Sequence, residues 1–194
     1  MLMFTIIWSA TVYKSEGLQD FVGSNEILFY VSLILVFSIS IAMSCLYTRC
    51  RTIPLNYILL GIYTVAHSYL IACLLPQYDT ETILMAAVCT WGMFVGLSFY
   101  ACFSKKDFTV MGGFLSTSTI MVLLFLILFS FFRSKILNLV IICVVIALLS
   151  VWIVYDTQII IGGKNKYTEL TSDDFAIAAL IIYSDILTLF IYIL

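Results

Sequence analysis

Asp156, in "IVYDTQII", and Asp185, in "IIYSDILT", are carboxylates set inside long apolar runs. An acid near the centre of a membrane helix costs about 2.5–3.5 kcal/mol on insertion scales. Two of them on consecutive runs are hard to read as independent accidents. If the carboxyls meet, they cannot both ionise cheaply, and the pair releases its protons in two steps rather than one. A shared proton ties the two helices together; its loss pushes them apart or admits a cation. Calcium suits such a place, because it accepts several oxygen ligands, carboxylates and backbone carbonyls among them. Asp156 and Asp185 are therefore the candidate proton-sensing pair and a transient calcium site. The alternative is that each acid merely hydrogen-bonds a neighbouring helix.

Polar neighbours Thr157, Gln158, Ser184 and Thr188 mark the same two stretches as facing protein or water. By simple counting, Asp156 lies six residues from the end of its run and Asp185 eleven into the next. Their depths then differ by roughly 7 Å, which helix tilt or a late helix start would remove. His67, midway along "VAHSYLIA", is the third ionisable residue inside an apolar run. A neutral imidazole hydrogen-bonded to a helix neighbour is the simpler reading of it, and a proton-sensitive role the sharper one.

The elements that must position these groups follow from composition. Apolar residues make up 63% of the 194 and charged residues 10%. A soluble domain carries about 25% charged residues, so this chain lacks the polar surface to cover a water-facing globule. Its apolar blocks approach the about 20 residues a membrane helix needs. Seven are legible, at about 1–13, 27–48, 53–75, 82–103, 110–132, 136–161 and 174–194. In lipid such unbroken runs must be helices, since they lack the alternation of barrel strands. The expectation is all-α: a polytopic bundle of seven transmembrane helices forming a single domain over 1–194. The first block has no basic segment before it, so it reads as a first membrane helix, either short or truncated at its start, and not as a signal peptide.

The short connections leave no room for a second domain. Arg49, Arg51, Lys105, Lys106, Lys164 and Lys166 fall on one set of loops, against Lys14, Arg133 and Lys135 on the other. The positive-inside rule then places the first set, and the N-terminus, in the cytoplasm. A seventh crossing leaves Leu194 on the far side, and a re-entrant last segment returns it. Gly92 and Gly96 form a GxxxG step that predicts a close helix approach within the bundle. The six cysteines are scattered singly, as small apolar fillers. Nothing basic enough for nucleic acid occurs, and no tightly bound cofactor is implied.

Together "RTIPLN" (51–56), "QYDTETILMAAVCT" (77–90), "FSKKDFT" (103–109), "VYDTQIIIGGKNKY" (154–167) and "AALIIYSDILTLFIYIL" (178–194) resemble the Bax inhibitor/Lifeguard family, nearest its Lifeguard and Golgi anti-apoptotic branch. The resemblance implies a seven-helix protein of endoplasmic reticulum, Golgi or related membranes. It also implies a pH-sensitive calcium leak that suppresses cell death, with Asp156 and Asp185 as its latch and Arg49 or Arg51 as a basic latch partner. Departures are the absent polar N-terminal region, a short first helix, no charged tail, and His67 where several relatives have an acid. The rival function is a non-conducting regulator that binds other membrane proteins of cell-death control. An intramembrane aspartyl protease fits "VYDT" but needs a Gly-x-Gly-Asp stretch, and "IIYSD" does not supply it. No enzyme is expected.

Overall fold

In the computed structural model, residues 1–45, 54–129, 135–162 and 175–194 are described. Arg49, Arg51, Arg133, Lys164 and Lys166 lie outside them. Every described element is helical: α1 (Leu2–Lys14), α2 (Glu16–Ser24), α3 (Glu26–Cys45), α4 (Leu55–Leu74), α5 (Thr80–Phe103), α6 (Gly112–Phe129), α7 (Lys135–Ile161) and α8 (Phe175–Ile193). Short 3-10 turns at Leu75–Gln77 and Thr109–Met111 extend α4 and lead into α6.

The described helices supply five spans long and apolar enough to cross a bilayer: Leu55–Gln77, Thr80–Phe103, Thr109–Leu128, Lys135–Ile161 and Phe175–Ile193. A sixth arises if α2 and α3 are taken together, and that pair is bent by 73°. The expected count of seven differs because α1, at 13 residues, is roughly 20 Å long against a hydrocarbon core of about 30 Å. A helix also stands where a loop was expected. In α2 the apolar residues Leu18, Phe21 and Val22 are interrupted by Glu16, Gln19, Asp20 and Ser24, a composition suited to a bilayer surface. Val22 alone in this helix is buried, beside Val12 of α1 and Ala72 of α4.

The helices group into two compact units, Met1–Ile83 with Asp174–Tyr183, and Leu84–Asp173 with Ser184–Leu194. In the first, α4 packs against α1, α2 and α3. Its inward face carries Tyr63, Thr64, His67, Ser68, Ile71 and Ala72, while α1 presents Thr5, Ser9 and Val12 at helical spacing. The α1 face is small or polar apart from Val12, and the α4 face sets small and polar residues among Tyr63 and Ile71, because in lipid packing and hydrogen bonds join helices. Thr5 Oγ1 lies 2.9 Å from Ser68 Oγ and 2.7 Å from the Tyr183 hydroxyl. Ser68 donates to the Thr64 carbonyl at 2.6 Å. With that proton placed, Thr5 donates to Ser68 and Tyr183 to Thr5, so Thr5 and Ser68 each give and receive while Tyr183 gives.

In the second unit α6 packs on α7. Trp152 Nε1 donates to Thr119 Oγ1 at 2.9 Å, and the Trp152 ring meets Tyr155 edge-on. The Tyr155 hydroxyl sits 2.6 Å from where a Cβ on Gly112 would lie, so the start of α6 is a place only glycine fits without displacing that phenol. Gly92 and Gly96 are exposed, with no atom within 4 Å of an added Cβ. Among the described residues the expected close approach within the bundle is therefore not made, and both glycines are exposed on α5.

Thr5→Val keeps the shape of the side chain while leaving Ser68 and Tyr183 without their shared partner. It is expected to cost about 1–2 kcal/mol, read as a lower unfolding temperature in detergent. Tyr183→Phe should cost less, since Thr5 keeps Ser68.

Candidate functional site

Asp156 lies on α7 five residues before its end at Ile161, and Asp185 ten residues after the start of α8 at Phe175. Both acids belong to the second unit. Their side chains come within hydrogen-bonding reach of one another, and both are largely but not fully buried by protein. No group of three or more His, Cys, Asp or Glu side chains able to hold a metal ion occurs among the described residues. Two carboxylates by themselves give a dication a resting point, not a cage.

The polar neighbours divide between tasks. Thr157 Oγ1 donates to the Ile153 carbonyl of its own helix at 2.6 Å. Gln158 turns away from the acids, buried against the turn between α5 and α6. Its Oε1 accepts the Phe108 N–H at 2.7 Å, and its Nε2 donates to the Lys106 carbonyl at 2.9 Å and the Ala101 carbonyl at 3.3 Å. Sequence reading grouped Gln158 with Asp156 by proximity along the chain. Two residues on a helix stand about 200° apart, and that angle was the available sign that they serve different neighbours. Gly162, with φ of 87°, ends α7 in the left-handed region that glycine enters without steric cost.

His67 belongs to the first unit, at the α4 face that meets Tyr183. Its ring contacts Tyr63 and Tyr183 edge-on at centroid distances of 5.2 and 6.0 Å. It is buried, and Nδ1 has no hydrogen-bond partner. The simple expectation of an imidazole anchored to a helix neighbour is not met at that nitrogen; aromatic packing holds the ring. The hydroxyl relay of Thr5, Ser68 and Tyr183 beside it went unread in the sequence, because single hydroxyls in apolar runs carry no pattern until helix rotation is known. Arg49 and Arg51, expected as latch partners, lie outside the described residues.

Comparison with known proteins covers the whole chain. The family described as "Inhibitor of apoptosis-promoting Bax1" matches residues 1–194. Protein lifeguard 4 of Mus musculus is 30% identical, over 100% of this chain and 77% of its own length. Protein LIFEGUARD 2 of Arabidopsis thaliana is 29% identical, over 100% and 80%. Protein lifeguard 3 of Homo sapiens is 25% identical, over 100% and 63%. No solved structure matches.

Replacing Gln158 by leucine removes one acceptor and two donated bonds from the α5–α6 turn. Gln158→Leu is expected to cost about 1–3 kcal/mol and to speed hydrogen exchange at the Phe108 amide. Unchanged exchange there would show that the turn is held by other contacts.

Proposed function

The chain belongs to the Bax inhibitor/Lifeguard family, and we propose that it is an anti-apoptotic protein of an internal membrane, endoplasmic reticulum or Golgi, that lets calcium leak across the bilayer under control of Asp156 and Asp185. The observation that carries this is the meeting of the two carboxyls between α7 and α8. With one proton between them the acids hold a hydrogen bond and close the gap between the helices. Without it, two like charges about 4 Å apart repel by about 4 kcal/mol at an effective dielectric near 20. The helices then separate or a cation enters to neutralise both. Calcium passes as cargo, taking oxygen from the two carboxylates in transit and from backbone carbonyls beyond them. In the same reading the N-terminus is cytoplasmic, α1 completes a seven-helix arrangement, and Arg49 or Arg51 pairs with the latch when the acids are charged.

A second reading, a non-conducting regulator acting through contacts within the membrane, is favoured by one observation. The Gly92–Gly96 groove on α5 is open to the surroundings, a shape that admits a close helix from another protein.

Calcium flux into proteoliposomes, followed across a series of pH values, separates the two. The expected result is a flux that changes by roughly fivefold or more with pH, as a gate coupled to a proton by about 1 kcal/mol or more would give. Asp156→Asn and Asp185→Asn should each make it insensitive to pH. Folded, inserted protein with no flux above empty liposomes at any pH would rule out the leak and leave the regulator.

A further inference from the structure

The turn between α5 and α6 and the end of α7 enclose a pocket of about 130 Å³. That is room for about four water molecules or one phosphate group, at about 30 Å³ of liquid per water. Ser104, Lys105, Lys106, Asp107, Ile161 and Gly162 line it, all within the second unit. The two lysines are exposed. The acid in this turn, Asp107, is turned onto Thr109, accepting from both its N–H and its hydroxyl through Oδ1. The carbonyls that end α5 are likewise engaged: Tyr100 takes the Ser104 N–H at 2.8 Å, and Ala101 and Lys106 take the Gln158 amide. Ser104 Oγ also accepts the Lys106 N–H at 3.2 Å. The backbone here is fixed before any ligand arrives, which lowers the ordering cost of binding.

Apolar surface adjoins this cationic mouth. Ile161 of α7, which lines the pocket, is 57% exposed, and Cys102 of α5, also in its lining, is exposed as well. Residues this apolar at the end of a spanning helix sit against lipid chains, and the lysines one turn further on reach the headgroups. A cationic pocket continuous with an exposed apolar face has the two-part chemistry of a phospholipid.

We infer that this pocket binds an anionic phospholipid, its phosphate held between Lys105 and Lys106 and its acyl chain lying along Ile161 and Cys102. A lysine near an anionic surface contributes a factor of about five in affinity, so losing both weakens binding by roughly 25-fold. The lipid joins the ends of α5 and α7 at the membrane surface, on the helix that also carries Asp156.

The test is a lipid titration of the purified full chain in detergent, followed by native mass spectrometry, with phosphatidylglycerol, phosphatidylcholine and inorganic phosphate as separate probes. The wild type is expected to retain phosphatidylglycerol in preference to phosphatidylcholine, and the double variant Lys105→Gln/Lys106→Gln to lose that preference by roughly 25-fold. Lys14→Gln, on α1, should keep it, which distinguishes a site from general attraction to charge. Ile161→Ala, an exposed position, should weaken phosphatidylglycerol binding without changing the response to inorganic phosphate. Equal retention of both lipids, or full binding by a folded double variant, would overturn the site. Inorganic phosphate displacing the lipid at similar concentration would overturn the lipid as its ligand, leaving a site for a water-borne anion.

Discussion

A bilayer offers no water to a buried polar group, and this chain is arranged around that one constraint. Each hydroxyl, amide or carboxyl placed at membrane depth must find its partner in protein or remain a cost of several kcal/mol. Helices settle the backbone. The side chains are settled at helix crossings: Thr5 with Ser68 and Tyr183, Trp152 with Thr119, Gln158 with the α5–α6 turn, and Asp156 with Asp185. Since large apolar side chains gain nothing by leaving lipid, these polar meetings decide which face of each helix turns inward. Many large residues can therefore face outward, as Trp91, Phe99, Phe103, Phe114 and Ile136 do.

Among these meetings the carboxyl pair differs in kind. A hydroxyl relay is satisfied in a single protonation state, and so is an amide on three backbone groups. Two carboxyls have several states, and only those retaining a proton let one acid donate to the other. The relay and the amide stabilise whatever arrangement they are built into; the acids stabilise one arrangement conditionally. That difference in chemistry separates a structural polar contact from a switch.

Much of this was legible in the sequence, and the boundary of legibility has a physical cause. Depth along a helix is written in the chain, so the apolar blocks, the two acids and their approximate levels were readable from position alone. Rotation about the helix axis is not, because an apolar run that is apolar on all sides shows no face. That is why Gly92 and Gly96 were expected inside and stand outside, why Gln158 was grouped with Asp156 when it serves Phe108 and Lys106, and why the Thr5 relay was missed. The helix α2 was hidden for a different reason. Nine residues with Glu16 and Asp20 among them break the hydropathy signal, and so read as a loop, although the same mixture suits a helix lying along a surface. The two acids remained legible because their cost depends on depth and not on direction.

The same helical geometry indicates which partner of the acid pair is held. On α7, Trp152 and Tyr155 are three residues apart and share the face that meets α6 through Thr119 and Gly112. Gln158, three residues further, fastens the end of the helix to the α5–α6 turn by three hydrogen bonds. Residues at such spacing form one line down the helix, and Asp156 stands off that line, toward α8. Thus α7 is anchored within its unit along one side while presenting its acid on another. When charge builds up at Asp156 and Asp185, the repulsion acts on an anchored helix and on the C-terminal part of α8. Displacing α7 would break the Trp152, Tyr155 and Gln158 contacts together, at a cost comparable to the repulsion itself if each is worth about 1 kcal/mol. The contacts along this side of α7 therefore oppose its displacement within the unit, whatever the charge on the acids.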